Sequence, residues 1–345
     1  MASEIDSFMA TMVTPERVPI ETALELARER YGLEARAERL TGERDENFKL
    51  SVADGSAYVL KIANAAEAQA VGELLTAALR HVAKTDPSLP CPRVVCERGG
   101  GSCTHFLDAQ GVRRTARLLT YLPGTLLAST VRSPRQRAAC GRVAARLARA
   151  LHSFEHPAAH RAIIWDTRHA AQLLGLLAQL SDCDYRRDAQ DVLGRLVPDI
   201  ESRLPQLRQQ VVHNDLNPLN ILVEPDDATC ISGIIDFGDL TYTALIADVA
   251  VTAAELLPRD CEAGGGARES IREVAAAYHE IVPLLPQELA VLAALVAARL
   301  LANVVVHEWH VQRNPANDHY AALEPDFIRA RLGIARELLR GEIRL

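Results

Sequence analysis

The stretch VVHNDLNPLNILVEPDDATCISGIIDFGD, residues 211–239, contains two short polar motifs separated by a predicted β-hairpin. The first has the spacing H-x-D-x-x-x-x-N and consists of His213, Asp215 and Asn220; the second is DFG and begins at Asp236. An apolar run follows the first motif and another precedes the second, which is typical of two strands joined by a turn. Either motif alone would be explained as an ordinary turn. The two motifs in this order, each next to a predicted strand, are a specific signature of a functional site.

These residue types suit phosphoryl transfer from a nucleoside triphosphate to a hydroxyl group. Such a reaction needs a carboxylate that orients the hydroxyl and accepts its proton, and oxygen ligands that hold Mg²⁺ against the triphosphate. We therefore predict Asp215 as the catalytic carboxylate and Asn220 and Asp236 as the metal ligands. His213 belongs to the same catalytic loop, where we expect it to position the backbone rather than transfer protons.

Composition limits the class of protein. The chain has 345 residues with 48% hydrophobic and 24% charged residues, which is typical of a globular protein of two domains or two lobes. The net charge of −7 argues against a nucleic-acid partner. The seven cysteines form no C-x-x-C pair, and residues 1–17 show no secretory signal, so we expect a cytoplasmic protein with reduced thiols. Residues 289–306 are apolar apart from Arg299 and Asn303. The two polar residues favour a buried core helix over a helix that spans a membrane, so we expect no membrane partner.

Strand-like patterns come first along the chain and helical patterns second, which predicts an α+β architecture rather than alternating βαβ units. We expect a small β-rich N-terminal nucleotide-binding lobe over residues 1–119, of which 1–13 are flexible. A hinge at 120–124 would join it to a larger, mostly helical C-terminal lobe over 125–345, which would hold the catalytic and substrate-binding residues.

A lysine in the N-terminal strands is predicted to contact the nucleotide. Lys61 lies in the apolar strand AYVLKI, in a chain that otherwise has only two lysines and uses arginine for its cations. An edge-strand lysine that shields a sheet is the alternative. Upstream, the turn TGERDENF (residues 41–48) would present backbone N–H groups to phosphate, with Gly42, Arg44 and Asn47 as candidate contacts, unless it is a plain hairpin loop.

The motifs HNDLNPLNIL and IIDFGD resemble those of the aminoglycoside phosphotransferase/choline kinase superfamily of protein-kinase-like enzymes. The stretches GERDENF, Trp165-Asp166, DFGDLTYTALIADVA and RNPANDHY make the chain most similar to hydroxylysine kinases and related bacterial phosphotransferase domains. The resemblance covers residues 20–334. It implies a bilobal protein-kinase-like fold, with the nucleotide between the lobes and its base recognised by the backbone of Thr120, Tyr121 and Leu122.

The resemblance also implies two supporting residues. Asp248 matches an aspartate that braces the catalytic loop through hydrogen bonds. A glutamate of the first-lobe helix usually pairs with the strand lysine, but this sequence has Thr76 at that position. Glu73, one turn earlier, is our candidate at the nucleotide site, and Glu67 is the alternative; the partner of Lys61 stays open.

Candidates for binding the acceptor are less specific. Arg299 and Asn303 lie four residues apart on one polar stripe, where a guanidinium would bind a substrate carboxylate or be paired structurally within the protein. Trp165, Asp166 and Asp239 would receive ammonium groups through cation–π and charge-assisted contacts, although Trp165 equally suits a core position.

The sequence thus predicts a small-molecule kinase that transfers the γ-phosphate of ATP or GTP, with Mg²⁺, to a hydroxyl of an amino-bearing substrate, with 5-hydroxylysine the first choice. An aminoglycoside, choline or homoserine acceptor is the alternative within this reaction. A catalytically silent, pseudokinase-like nucleotide-binding module is the alternative of another class. Fusions in the similar families suggest a functional link to an aminotransferase or lyase that depends on pyridoxal phosphate.

Overall fold

The part of the chain described by the computed structural model consists of residues 17–42, 44–181, 185–258, 266–313 and 323–345. The predicted flexible segment 1–13 and most of the stretch RNPANDHY lie outside these residues. The described residues divide into two compact units, the first ending at Pro123 and including His156–Ala158, the second beginning at Gly124. This boundary falls within residues 120–124; that the segment acts as a hinge stays a prediction.

The first unit is built on an antiparallel sheet. Its strands are β1 (Ala35–Leu40), β2 (Glu46–Val52), β3 (Ala57–Ile62), β4 (Val94–Val95), β5 (Thr104–Leu107) and β6 (Arg113–Thr120). They are ordered β1-β2-β3-β6-β4, and β5 pairs with β6. Its helices are α1 (Ile20–Leu26), which continues as a π-helical turn, and α2 (Gln69–Thr85).

Alternation along the strands explains which face of this sheet is buried. Phe48 on β2 is opposite Leu60 on β3, and both are fully buried in one apolar cluster that includes Ala23 of α1. Because successive side chains in a strand point to opposite faces, Lys61 lies on the other face from Leu60. Its cross-strand partners in the register are Asn47 on β2 and Arg117 on β6.

The second unit is mostly helical. Its helices are α3 (Pro134–Leu151), α4 (Ala170–Gln179), α5 (Arg186–Arg203), α6 (Leu245–Glu255), α7 (Ala267–His279), α8 (Pro286–Arg313) and α9 (Pro325–Leu338). Its strands are β7 (Thr125–Leu126), β8 (Gln209–Val212), β9 (Ile221–Glu224), β10 (Asp227–Ile234) and β11 (Thr241–Ala244). They form two small antiparallel sheets, β10-β9-β7 and β11-β8. A β-rich first unit followed by a helical second unit confirms the predicted α+β class.

Helix α8 is the central helix of the second unit. It is long and apolar enough to cross a membrane by length and composition, but 78% of its most apolar window is buried within the protein. It packs against α4, α5, α6 and α9. The predicted buried core helix is confirmed, and its high hydropathy reflects contact with protein on several sides.

A glycine at the contact between α3 and α7 provides a test of this packing. A Cβ atom at Gly141 would lie 2.3 Å from the main-chain oxygen of Val274, so the two helices approach too closely for any side chain. We expect Gly141→Ala to lower the free energy of unfolding by about 1–3 kcal/mol, despite alanine's better helix propensity. Urea denaturation measures this change.

Gly194 in α5 is the matched control, because a Cβ atom there meets no atom within 4 Å. Gly194→Ala should raise the free energy of unfolding by roughly 0.5–1 kcal/mol through helix propensity alone. If Gly141→Ala and Gly194→Ala changed the free energy of unfolding equally, that result would contradict the close approach of α3 and α7.

Candidate active site

The loop between β8 and β9, residues 213–220, contains the first polar motif. It leaves β8 through Asn214, whose φ of 65° is in the left-handed region that only a few residue types adopt readily. The Asn214 backbone N–H donates a 2.8 Å hydrogen bond to Oδ1 of Asp248, a fully buried residue in the first turn of α6. The predicted bracing contact from Asp248 is therefore confirmed.

The carboxylate of Asp215 is oriented by side chains of its own loop. Asn220 Nδ2 donates to Asp215 Oδ2 at 2.7 Å and to its main-chain oxygen at 3.0 Å. Asn217 Nδ2 lies 3.0 Å from both carboxylate oxygens. These bonds fix the carboxylate in one orientation, as a base that must accept a proton from a placed hydroxyl requires.

Arg299 of α8 also binds Asp215. Its guanidinium donates from Nη2 to Asp215 Oδ1 at 2.9 Å, from Nε to Glu255 Oε1 at 2.8 Å and from Nη1 to the Trp165 carbonyl at 3.3 Å. It also lies over the Trp165 ring, 5.1 Å from the centroid. Asn303, one turn further along α8, donates to the same Glu255 oxygen at 3.0 Å. Protein groups thus engage both side chains predicted to bind substrate, which favours the structural alternative for Arg299.

Burial and neighbouring charges set the acidity of this pair. Burial raises the pKa of Asp215 well above its ordinary value, and the carboxylates of Asp239 and Glu255 add to the rise, while Arg299 and Asn217 oppose it. Burial lowers the pKa of Arg299, but Glu255 and Asp215 outweigh it, so the net pKa is raised. A carboxylate with a raised pKa is a stronger base, and the guanidinium beside it favours its charged form.

His213 is fully buried, and its ring packs edge-on against Phe237 with centroids 4.8 Å apart. Its Nδ1 accepts a 3.3 Å hydrogen bond from the Asp215 backbone N–H. Burial lowers the pKa of the imidazole to about 4, against the opposing carboxylates of Asp236 and Asp239. The ring accepts a backbone N–H of its own loop, and its role in positioning that loop stays a prediction.

The β9–β10 hairpin brings the two predicted metal ligands to one end. Ile221 pairs with Ile234, and the Ile235 N–H donates to the Asn220 carbonyl at 2.9 Å. Asp236 follows directly, with a φ of 56° that is uncommon for a residue other than glycine. Its Oδ1 accepts from the Gly238 N–H at 3.1 Å, and the residue is exposed. The hairpin register therefore places Asn220 and Asp236 at the same end of the hairpin.

The donor set fits a hard divalent cation that also binds nucleotide phosphates. Because the Asn220 amide nitrogen donates to Asp215, its Oδ1 faces away from these bonds and can serve as a ligand. Among the described residues, no group of three or more His, Cys, Asp or Glu side chains could hold a metal by itself. The two predicted ligands, Asn220 and Asp236, would suit a metal that completes its coordination with phosphate and water.

The remaining predicted acceptor residues differ in their surroundings. Asp166 is buried: its Oδ1 accepts a helix-capping bond from the Arg168 N–H at 2.9 Å and a second bond from Thr243 Oγ1 on β11 at 3.1 Å. Asp239 is buried close enough to Asp215 and Arg299 to affect the pKa values of both. Asp239 thus belongs to the charged cluster, whereas the Asp166 bonds described here are structural.

In the first unit, Lys61 is accompanied by Asp45 of the turn between β1 and β2. Lys61 Nζ lies 3.9 Å from Asp45 Oδ2, and Nη2 of the buried Arg117 lies 3.6 Å from the same oxygen. Two cations on neighbouring strands therefore share one carboxylate. Sequence reasoning quoted this turn but did not consider Asp45 as a partner of Lys61.

The turn itself is closed by a side chain. Asn47 Nδ2 lies 3.5 Å from the Thr41 carbonyl and 3.4 Å from the Asp45 carbonyl, so two of its bonds are internal. A Cβ atom at Gly42 would lie 2.3 Å from the Asp45 main-chain oxygen, which requires glycine there. Phosphate contacts by Gly42, Arg44 and Asn47 stay predictions.

Helix α2 presents Thr76 toward the interior of the first unit, where its hydroxyl donates to the Gly72 carbonyl at 2.9 Å. Glu73 is exposed, and its Oε1 accepts from Gln69 Nε2 at 3.0 Å. Arg117 Nη1, at 3.4 Å, shares the Gly72 carbonyl. A buried arginine thus lies under the helix near the expected glutamate position, while the role of Glu73 stays a prediction.

Two of the three backbone positions predicted to recognise the base are already hydrogen-bonded. The Thr120 N–H donates to the Arg93 carbonyl at 2.9 Å and the Tyr121 N–H to the Ala57 carbonyl at 3.1 Å. The backbone hydrogen bonds described for this segment do not include Leu122. Recognition of a base by the backbone of Thr120, Tyr121 and Leu122 stays a prediction.

The sequence analysis missed two side chains at the catalytic cluster. Asn217 stands two residues after Asp215, in a position that a turn-forming asparagine also explains. Glu255 lies seven residues after Asp248 on α6, which is two helical turns along the same face. This spacing could have predicted Glu255 from the sequence. Two residues seven positions apart lie on the same face of a helix, so the face that carries Asp248 also carries Glu255.

Residues 36–280 match the phosphotransferase enzyme family, and the chain belongs to that family. The curated proteins that it resembles include a hydroxylysine kinase from Mus musculus, 28% identical over 306 residues, which are 81% of this chain and 79% of the relative. A hydroxylysine kinase from Danio rerio is 28% identical over 328 residues, 90% of each chain. Both matches extend over most of this chain and over most of each relative.

Solved structures of similar fold are also small-molecule kinases. An amicoumacin kinase in complex with AMP-PNP, Ca²⁺ and its ligand aligns with a TM-score of 0.70 at 16% identity, covering 93% of this chain and 94% of the other. A microcompartment-associated aminopropanol kinase aligns with a TM-score of 0.63 at 18% identity, covering 93% and 95%. At these identities the likeness establishes the protein-kinase-like phosphotransferase fold.

The buried Asp248 makes the site's stability dependent on pH. Burial raises the pKa of Asp248 to about 7 despite the Asn214 N–H, so the folded protein holds a proton that the unfolded chain releases near pH 4. A raised acid pKa means that stability falls as the pH rises between these values. Between pH 5 and 7, the wild type should lose about 2 kcal/mol more free energy of unfolding than Asp248→Asn.

Urea denaturation at several pH values measures this difference. Asparagine keeps an Oδ1 acceptor for the Asn214 N–H, so the comparison isolates the charge. If the free energy of unfolding changes with pH in the same way for both proteins, Asp248 titrates normally. That result would contradict a pKa raised by burial.

Proposed function

We propose that this phosphotransferase is a hydroxylysine kinase, which transfers the γ-phosphate of ATP or GTP to the 5-hydroxyl of hydroxylysine. The observation that carries the proposal is the oriented Asp215 carboxylate, held by Asn217, Asn220 and Arg299. The similarity to hydroxylysine kinases over most of the chain supports the choice of acceptor.

Asp215 would orient the acceptor hydroxyl and take its proton as the hydroxyl oxygen bonds to the γ-phosphorus and the bond from that phosphorus to the departing nucleoside diphosphate breaks. Its raised pKa favours proton acceptance, and its fixed orientation reduces the entropy lost in aligning the hydroxyl with the phosphorus. Asp248 and His213 would maintain the loop geometry through the backbone of Asn214 and Asp215. The carboxylates of Asp239 and Glu255 would attract a positively charged acceptor.

Asn220 and Asp236 would hold Mg²⁺ against the triphosphate. When bound, the metal would neutralise charge on the transferred phosphoryl group. In the first unit, Lys61 would contact the phosphates, with Asp45 and Arg117 fixing its position. The turn at residues 41–48 would cover the phosphates with its backbone N–H groups, with Glu73 nearby, and the backbone at Thr120–Leu122 would bind the base.

The direct test is release of nucleoside diphosphate by the purified protein with Mg²⁺, ATP or GTP, and a panel of hydroxylated amines. We expect turnover with 5-hydroxylysine, and a loss of kcat by about 10²–10⁴-fold in Asp215→Asn, because the amide cannot accept the proton. The control variant is Asp199→Asn, which changes an exposed aspartate of α5 paired with Arg203 and should keep wild-type turnover.

Each other result points to a different function. Turnover with choline, homoserine or an aminoglycoside, but not with hydroxylysine, would keep the reaction and reject the acceptor. Tight nucleotide binding without turnover on any acceptor would favour the pseudokinase alternative. Full activity of Asp215→Asn would overturn the proposed mechanism.

The metal ligands allow a separate prediction. Activity should vanish on chelation and return with Mg²⁺. Asp236→Asn should raise the Mg²⁺ concentration needed for half-maximal rate by at least tenfold, because a neutral amide is a weaker ligand than a carboxylate. Titration of the rate with Mg²⁺ at saturating nucleotide measures this. An unchanged Mg²⁺ requirement would exclude Asp236 as a ligand.

A cytoplasmic location fits a substrate that arises in amino-acid metabolism. Its phosphorylated product carries a phosphate on the carbon next to an amine-bearing carbon, a suitable leaving group for elimination by an enzyme that uses pyridoxal phosphate. The proposed link to such a lyase or aminotransferase rests on this chemistry and on fusions in the similar families.

A further inference from the structure

One edge of the Arg299 guanidinium binds two different carboxylates. Nε and Nη2 form a parallel pair of donors, which usually grips a single carboxylate through both of its oxygens. Here Nε donates to Glu255 Oε1 at 2.8 Å and Nη2 to Asp215 Oδ1 at 2.9 Å. The guanidinium is 3% exposed, so the arrangement is fixed by the surrounding protein. A second carboxylate is therefore held directly beside the catalytic one.

Glu255 is held through one oxygen only. Oε1 accepts from both Arg299 and Asn303, whereas Oε2 takes part in none of the hydrogen bonds or ion pairs found among the described residues. The side chain keeps 17% of its surface exposed. Glu255 is also the last residue of α6, where the helix dipole disfavours a negative charge. Its position is unfavourable for helix stability and suits the binding of a cation.

The charge around this pair is unbalanced. Asp215 and Glu255 both accept hydrogen bonds from the Arg299 guanidinium, so two carboxylates share one positive charge there. A cationic group on the acceptor would restore the balance, and the Glu255 oxygen that accepts no hydrogen bond from the described residues is in a position to receive it. The structure thus offers a base and a cation receptor side by side.

We propose that Glu255 binds the ammonium group of acceptors in which the amine stands on the carbon next to the hydroxyl-bearing carbon. Asp215 binds the hydroxyl and Glu255 binds the neighbouring ammonium. The two carboxylates on one edge of the guanidinium therefore recognise a vicinal amino alcohol. The inference rests on the proposed function, since 5-hydroxylysine carries this unit at its fifth and sixth carbons. Arg299 then acts as a positioning residue and does not bind the substrate carboxylate.

The wild-type enzyme tests this with two isomers. 1-Amino-2-butanol has the vicinal unit, whereas 4-amino-2-butanol has the same atoms with one more carbon between the amine and the alcohol. We expect kcat/KM at least tenfold higher for the vicinal isomer, the ratio typical of one charge-assisted hydrogen bond. Titration calorimetry with a non-hydrolysable nucleotide gives the same comparison as binding constants, without turnover. Equal values for the isomers would overturn the inference.

The variant Glu255→Gln identifies the residue responsible. It keeps an Oε1 acceptor for Arg299 and Asn303 but removes the charge. The substrates are 5-hydroxylysine and 2-amino-5-hydroxyhexanoate, which lacks the 6-amine. The wild type should prefer hydroxylysine at least tenfold, mainly through KM, and Glu255→Gln should lose most of that preference. If Glu255 only supported Arg299, the variant would lose kcat equally on both substrates.

Two further variants separate a folding defect from a recognition defect. Glu255→Asp keeps the charge and should retain the preference for the ammonium-bearing substrate. Glu280→Gln, at an exposed ion pair with Arg142 outside the site, should behave as the wild type. If hydroxylysine is not phosphorylated but the vicinal isomer is still preferred, the proposed acceptor fails and the inference stands. If hydroxylysine is phosphorylated with no dependence on the 6-amine, the inference fails and the proposed function stands.

Discussion

The buried Arg299 guanidinium is the interaction on which the candidate site depends. An unpaired charge in a protein interior costs several kcal/mol, so Arg299 requires partners, and the chain provides Asp215, Glu255 and the Trp165 carbonyl. These partners come from the catalytic loop, the end of α6 and the segment before α4. One side chain of the central helix therefore fixes the positions of three separate parts of the second unit.

Helix α6 connects this charged cluster to the catalytic loop. Asp248 in its first turn holds the Asn214 N–H, and Glu255 at its end accepts from Arg299 two turns later, about 10 Å along the helix. The β9–β10 hairpin sets the remaining geometry by bringing Asn220 and Asp236 to the same end. The left-handed backbone at Asn214 and Asp236 is tolerated because these contacts define it.

The sequence was sufficient for the features that depend on local pattern. The spacing of Asp215, Asn220 and Asp236 around two apolar runs predicted the loop and hairpin, and the polar stripe on an apolar helix singled out Arg299. It was not sufficient for pairings between distant segments, such as Arg299 with Glu255 or Lys61 with Asp45. Many carboxylates in the chain satisfy the chemistry of these pairings, and only the packing of helices and strands selects one.

The central claim is that Asp215 activates a hydroxyl next to an ammonium-bearing carbon. The most direct measurement is ¹H–³¹P correlation NMR of the product formed from 5-hydroxylysine, Mg²⁺ and a nucleoside triphosphate. We expect a phosphate ester that correlates with the proton on the fifth carbon and is absent with Asp215→Asn. A phosphate on any other atom, or the same ester formed by the variant at an unchanged rate, would contradict it.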